Sequence, residues 1–373
     1  MSSSVAFSNY VPRRILVRGV NWLGDAVMTT PALLRLRERF PDAHITLLSP
    51  EKLRELWLRH PAINETIAFA ANDNLFSVAG RLRADKFDLA LVLPNSPRSA
   101  LETWLARIPE RVGYAHAWRN WFLTEAVSTR PGHVRMHKRT VAEVNGLISG
   151  GQTATQVSIP ASAHQIHEYL HLVAALGANP QPLAPQLAVT AEEINAVRDK
   201  FGLAGISGPV FGLNPGAEYG PAKRWPADRF IAAAQEIQQR TGCTWLIFGG
   251  KADVPVAERI AMESCIALHS PRCVAGQTSL RELMALLKLC RVLLTNDTGP
   301  MHVAAALGTP VVVPFGSTSP ELTGPGMPGE QRHQLIKSDV SCAPCFLREC
   351  PIDFRCMNGI TVERVVAAVL ACV

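Results

Sequence analysis

Three glycine-containing stretches, each directly after a short apolar run, carry polar residues that a simple connection does not need. The first is Arg18-Gly-Val-Asn-Trp-Leu-Gly24-Asp25. Its glycines let the chain turn tightly after a strand, and Asp25 then opens onto the space at the strand ends. A carboxylate there would repel a phosphate, and the G-x-G-x-x-G spacing of dinucleotide sites is absent. Asp25 is left with two readings: a general base for a hydroxyl acceptor, worth ~10²–10⁴ in rate, or a helix cap.

The second stretch is Asn214-Pro-Gly216-Ala-Glu218-Tyr219-Gly220-Pro-Ala-Lys223-Arg224-Trp225-Pro226. Backbone N–H groups in a glycine-rich loop supply directed donors and an adjacent lysine supplies a point charge, which suits a phosphate or pyrophosphate. Trp225-Pro226 already makes a helix entry, so the two cations are surplus to folding. The third, Thr295-Asn-Asp297-Thr298-Gly299-Pro300-Met301-His302, begins a helix whose free N–H groups and dipole favour an anion. Asp297 there could cap N–H groups or bind a ribose hydroxyl, and His302, one turn inside, reads as a structural histidine before a proton-transfer group.

Elements of a particular kind must hold these loops. Ile15-Leu-Val-Arg-Gly19, Ile45-Thr-Leu-Leu48 and Asp88-Leu-Ala-Leu-Val-Leu93 read as buried strands. So do Val210-Phe-Gly-Leu213, Thr244-Trp-Leu-Ile-Phe248, Val292-Leu-Leu-Thr295 and Val311-Val-Val313. Amphipathic helical stretches separate them: one through Leu33, Leu34, Leu36 and Phe40 with Pro31 in a first turn or at a kink, then others over 51–59, 163–176, 279–289 and 298–307. Such alternation requires crossovers, hence parallel sheets covered on both faces. The pattern weakens over 126–190, where Ser149-Gly-Gly-Gln-Thr-Ala-Thr is loop-like and Asn179-Pro180-Gln-Pro182-Leu-Ala-Pro185 is the best linker. The chain therefore reads as two α/β domains in tandem, with ligands at the carboxyl ends of strands.

The 373 residues, 47% of them hydrophobic and 18% charged, are ample for two cores and exclude a disordered chain. No apolar run approaches the ~18 residues of a spanning helix, and the polar start MSSSVAFSNYVPRR lacks a signal-peptide core, so a cytoplasmic chain is expected. The net charge of +6 lies wholly in residues 1–188, which hold 20 Lys+Arg, mostly Arg, against 14 Asp+Glu. Such a half suits a phosphorylated substrate or an anionic lipid surface. Nucleic acid is disfavoured by the lack of basic runs and aromatic-basic motifs. Cys342, Cys345, Cys350 and Cys356 are spaced C-x2-C-x4-C-x5-C, loosely zinc-like but without paired knuckles, so reduced thiols packing a loop are expected ahead of a structural metal. Anion-suited loops in the neutral half and a carboxylate loop in the basic half fit a nucleotide-sugar transferase. No Asp-x-Asp pair for Mg²⁺ follows a strand, so Lys223 and helix N–H groups are left to neutralise the leaving diphosphate.

The stretches NWLGDAVMTTPAL, LPNSPRSA, NPGAEYGPAKRWP and NDTGPMHVAAALGTPVVVPFGSTSP resemble, in order and over most of the chain, the ADP-heptose:lipopolysaccharide heptosyltransferases of glycosyltransferase family 9. The form of NPGAEYGPAKRWP is closest to the branch that adds the second heptose. The resemblance implies a GT-B fold: two Rossmann-like α/β/α domains facing each other across a cleft. Residues 1–185 would bind acceptor, 186–360 would bind ADP-heptose, and a helix in 361–373 would pack back on the first domain. It further implies inverting, metal-independent transfer of L-glycero-D-manno-heptose to heptosyl-Kdo-lipid A, with no cofactor, by an enzyme peripheral to the cytoplasmic face of the inner membrane.

Position by position, Asp25 matches the family's base and Lys223 the cation on the donor diphosphate, while Glu218 and Tyr219 match positions lining the donor pocket. Asp297, Thr298, Gly299 and His302 match the nucleotide-phosphate loop, Thr278 a residue against adenine, and Asn95 and Ser96 a motif facing the acceptor. Residues 138–165 look like an insertion relative to compact members. Transfer of a first heptose, transfer to another acceptor, a non-catalytic nucleotide-sugar-binding module and an epimerase are the competing readings.

Overall fold

A computed structural model describes residues 10–149, 159–206, 208–265 and 270–373. They form two units: the chain up to His133 together with Gln165–Ala188, and Val134–His164 together with Val189–Val373.

The first unit is built on β1 (Arg14–Arg18), β2 (His44–Pro50), β3 (Glu65–Phe69), β4 (Leu89–Val92), β5 (Glu110–Tyr114) and β6 (Glu125–Val127). All neighbours pair parallel in the order β3-β2-β1-β4-β5-β6. Apolar runs such as Ile15-Leu-Val and Leu89-Ala-Leu-Val are buried on both faces, as a helix-covered parallel sheet requires. One face packs Leu16, Leu48 and Ala90 against Val78, Leu82, Phe87 and Ile108.

The second unit repeats the plan with β7 (Val210–Asn214), β8 (Thr244–Ile247), β9 (Arg272–Cys273), β10 (Leu293–Thr295), β11 (Val311–Phe315) and β12 (Gln334–Lys337). Its parallel order is β12-β11-β10-β7-β8-β9. Both orders are the Rossmann order. Strand order therefore reverses between β1 and β4 and again between β7 and β10, and ligands of such sheets bind at the carboxyl ends of those strands.

Local chemistry explains where elements differ from expectation. The helical stretch after β1 divides at Thr29 into Leu23–Met28 and Thr30–Arg39, with Pro31 in the first turn of the second piece. Proline has no N–H to donate, so it is tolerated only there. Residues Glu51–Trp57 form a 3₁₀ rather than an α-helix, which puts Leu53 and Leu56 on one buried side. Among the described residues of 138–165, the helix Val141–Ser149 belongs to the second unit rather than to an acceptor domain running to 185. Arg139 N–H donates to the Cys345 carbonyl at 3.0 Å, Ser341 Oγ to the Leu147 carbonyl at 3.2 Å, and His164 Nε2 lies 3.0 Å from the Gly324 carbonyl. After Ser149, the loop-like stretch that follows lies outside the described residues.

The terminal helix Val362–Leu370, expected on the first domain, packs within the second unit. Its stripe of Val365, Val366 and Val369 joins the core of Phe230, Ile237 and Trp245. Among the described residues no helix is long and apolar enough to cross a membrane.

Candidate functional site

Asp25 sits in the first turn of Leu23–Met28, half-buried, at the carboxyl end of β1. Trp22 takes the N-cap position and Asp25 stands three residues on, in the first turn. A Cβ at Gly19 would stand 3.1 Å from the Leu48 carbonyl, which is why glycine follows β1 here. Asp25 Oδ1 lies 3.5 Å from Gln165 Nε2, and that amide donates to Tyr169 Oη at 2.9 Å. Burial first, and then the Asp25 charge, hold the Tyr169 phenol well above its ordinary pKa, so it keeps its proton.

A buried ion pair lies under this loop. Arg18 Nε meets Glu102 Oε2 at 2.8 Å with the two side chains 4% and 1% exposed, and Arg18 Nη1 also donates to Asn21 Oδ1 at 3.1 Å. Arg98 Nε reaches the other carboxylate oxygen, Oε1, at 3.1 Å. The loop's first turn is thus held by a buried ion pair, with the half-exposed Arg98 on its outer side. Glu102→Gln strands the Arg18 guanidinium and should lower the stability of the first unit by about 3–5 kcal/mol, read as a fall in the urea midpoint. A loss below about 1 kcal/mol, as at exposed pairs, would mean that Glu102 does not hold the loop.

Asn95 and Ser96 follow β4, on the other side of the strand-order reversal. Asn95 Oδ1 accepts from Arg119 Nη1 at 3.0 Å, and the Arg119 side chain is fully buried. Ser96 is the N-cap of helix Pro97–Leu105, its Oγ accepting from the Ser99 N–H at 3.3 Å, so its observed work is structural.

The second unit joins the loops after β7 and β10. Asn296 accepts from the Trp225 N–H at 2.9 Å and donates to the Pro215 carbonyl at 2.8 Å, while Asn214 Nδ2 donates to Thr295 Oγ1 at 3.1 Å. With the loops stapled, Lys223 Nζ meets Asp297 Oδ2 at 2.6 Å, and Thr318 Oγ1 donates to the same oxygen at 2.6 Å. Lys223 also lies over the Tyr219 ring at 5.0 Å. Arg224 turns away to Asp253 at 3.3 Å, so the two adjacent cations part and Lys223 alone faces Asp297.

Thr298 is the N-cap of helix Gly299–Ala306 and makes no side-chain capping bond, and Pro300 stands in the first turn. The helix's first N–H groups and its positive dipole end are therefore directed at the same place. Burial pulls His302 down to about 4 against the opposing pull of Asp297, so its imidazole is neutral at physiological pH. Glu218 is exposed on the β7 loop, and Thr278 stands two strands away, after β9, just ahead of the capping Ser279.

A strap of chain from the cysteine-rich region shapes the β7 loop. Tyr219 Oη donates to the Phe346 carbonyl at 2.9 Å and the Ala222 N–H to the Arg348 carbonyl at 3.0 Å, with the Arg348 guanidinium 5.2 Å from the Tyr219 ring. The Ser317 carbonyl accepts from the N–H groups of both Cys345 and Phe346, at 3.1 and 2.7 Å. A Cβ at Gly220 would stand 2.4 Å from the Arg348 carbonyl oxygen. All nine cysteines are free thiols, and among the described residues no three His, Cys, Asp or Glu side chains are grouped to hold a metal ion. Mutual repulsion among Cys342, Cys345, Cys350 and Cys356 adds to burial in pushing Cys356 up to about 12.

Lys223, Tyr219, Asp297, Thr298, Gly299 and His302 thus come together; Asp25 and Asn95-Ser96 flank the corresponding reversal in the first sheet; Thr278 stands apart. Sequence reasoning missed Arg18, Glu102, Gln165, Asn296 and Thr318. Thr318 had a signal, because it lies just beyond β11, at a carboxyl end like the other loops.

The model of glycosyltransferase family 9 (heptosyltransferase) matches residues 152–354. A Haemophilus ducreyi protein described as lipooligosaccharide heptosyltransferase 2 is 34% identical over 326 residues, covering 84% of this chain and 86% of that one. Lipopolysaccharide heptosyltransferase 2 of Escherichia coli K12 is 32% identical over 84% and 85%. Among solved structures, E. coli ADP-heptose lps heptosyltransferase II superposes with a TM-score of 0.74 at 28% identity, covering 96% of this chain and 98% of that one. A family 9 glycosyl transferase from Veillonella parvula gives 0.76 at 24% identity, covering 96% and 97%, and attests the fold.

Proposed function

Since the chain belongs to glycosyltransferase family 9, the heptosyltransferases, we propose that it moves L-glycero-D-manno-heptose from ADP-heptose to heptosyl-Kdo-lipid A with inversion. The observation that carries this reading is the Lys223–Asp297–Thr318 cluster at the strand-order reversal of the second sheet, beside the open end of helix Gly299–Ala306. That is a place built for the charge of a nucleoside diphosphate.

The acceptor hydroxyl attacks the anomeric carbon as the bond to the diphosphate oxygen breaks. Its proton passes to Asp25, and the electron pair of the broken bond stays on ADP. Lys223 and the helix N–H groups receive the negative charge that grows on the leaving oxygen, which makes them worth more in the transition state than in the ground state. Asp297 holds Lys223 in place and is left a ribose hydroxyl or N–H partner once the diphosphate has drawn the ammonium away. His302, neutral, contributes hydrogen bonding without further charge, and Glu218 and Tyr219 line the donor. Thr278 is assigned to adenine, Asn95 and Ser96 to the acceptor. The chemistry runs without a metal or cofactor, at the cytoplasmic face of the inner membrane.

ADP release from ADP-L-glycero-β-D-manno-heptose in EDTA, with and without heptosyl-Kdo-lipid A, tests this. Release that depends on the acceptor is expected. Donor binding without release under any condition would leave a binding module, and consumption of the nucleotide sugar without acceptor would point to an epimerase.

A further inference from the structure

Two tryptophans of the first unit stand almost entirely in water: Trp118 is 82% and Trp121 84% exposed. Both lie on the turn between β5 and β6. The Trp104 ring, 46% exposed at the end of helix Pro97–Leu105, meets Phe122 edge-on at 5.8 Å, which brings a third exposed indole beside the same turn. Large apolar side chains gathered outside a protein mark an interaction face.

The turn is built to present them. Trp118 has φ of +64°, a left-handed conformation costly for a bulky aromatic residue. It is held there because its neighbour Arg119 is buried against Asn95, the His116 N–H bonds Asn120 Oδ1 at 2.8 Å, and the Phe122 N–H bonds the Arg119 carbonyl at 2.9 Å. Arg119 is turned inward, and Trp118 and Trp121 on either side of it stand in solvent.

Arginines surround the patch. Arg111 Nε donates to the Phe122 carbonyl and Arg83 Nη2 to the Leu105 carbonyl, each at 2.7 Å, and Arg107 is exposed two residues further on. The nearby carboxylate of Glu102 is buried in its pair with Arg18; Glu110 accepts from Thr124 Oγ1 at 3.0 Å and is outnumbered. This is also the half of the chain that carries the whole positive excess.

We propose that Trp104, Trp118 and Trp121, with the exposed Arg83 and Arg107, dock the first unit onto an anionic phospholipid bilayer. Indoles settle at the headgroup level, where the ring is dehydrated and its N–H stays wet, and guanidinium groups pair with lipid phosphates. The choice of a bilayer over another partner rests on the lipid-anchored acceptor of the proposed function; the presence of the face does not.

Sedimentation of the full chain with phosphatidylglycerol-containing or pure phosphatidylcholine vesicles tests it. Wild type should bind the anionic vesicles, with a blue-shifted tryptophan emission and weaker binding in salt. W118A/W121A should lose affinity by at least about tenfold, as should R107E, with unchanged thermal midpoints. ADP release on vesicle-embedded acceptor should fall with vesicle binding, while release on a deacylated, water-soluble acceptor stays at the wild-type rate. Equal binding to both vesicle types, or full binding by W118A/W121A, would overturn the proposal. So would a wild-type dimer that W118A/W121A reduces to a monomer, since the face would then join two copies. Vesicle binding without any ADP release would instead sink the transferase reading and leave the docking face standing.

Discussion

Asp25→Asn should lower kcat by about 10²–10⁴ while leaving the affinity for ADP-heptose unchanged. Asparagine has the same shape and keeps an oxygen for Gln165 Nε2, so the turn after β1 has no reason to rearrange. What it lacks is a lone pair basic enough to take the proton as the acceptor oxygen attacks. Tyr169, in the same network, offers no substitute, because burial, the larger cause of its raised pKa, persists once the Asp25 charge is gone and keeps its phenol protonated. Raising the pH should therefore not restore the variant. Single-turnover rates with saturating donor, beside donor titrations, give the comparison; a loss of less than tenfold would remove Asp25 from the role of base.

For Lys223→Ala the expected loss is about 10²–10³ in kcat/KM, together with weaker ADP binding. Two effects combine. The ammonium no longer meets the charge growing on the leaving diphosphate, and Asp297, 4% exposed, keeps only Thr318 as a partner at the Oδ2 that Lys223 held. The variant thus presents a negative charge to a negative ligand. Adding Asp297→Asn removes that repulsion, so the double variant should lose less than the sum of the single losses. An unchanged kcat with only a raised KM would mean that Lys223 binds ground and transition state alike, and its assignment to the leaving group would fall.

How much of this is legible in sequence follows from what local pattern can encode. Strands buried on both faces appear as unbroken apolar runs, which is why Ile15-Leu-Val and Val311-Val-Val313 are visible at once. Edge strands have no such run: β9 is two residues, Arg272-Cys273, and β12 is half-exposed Gln334-Leu-Ile-Lys337. The site loops stand out because glycine, proline and charge coincide where a strand has just ended. Their pairings do not, since Arg18 and Glu102 are 84 residues apart and Lys223 and Asp297 are 74 apart. Nothing in Lys223-Arg224 says that one cation faces a buried aspartate and its neighbour a different carboxylate. The membership of 134–164 in the second unit is hidden for the same reason: bonds to Cys345, Ser341 and Gly324 bridge long separations.

The strap beside the β7 loop reaches Tyr219 and Ala222 through the carbonyl oxygens of Phe346 and Arg348, and is itself tied by two amides to the Ser317 carbonyl. Every amino acid has a carbonyl, so these bonds carry no instruction about which residue must occupy the strap. Apart from the Arg348 guanidinium over the tyrosine ring, the strap's side chains take no part in these contacts, which leaves latitude in what they are. Gly220 has no such latitude, because any side chain there would enter the oxygen that defines the path. The contact is thus tolerant on one side and demanding on the other: a substitution at Phe346 should disturb the path of the β7 loop far less than any side chain placed at Gly220.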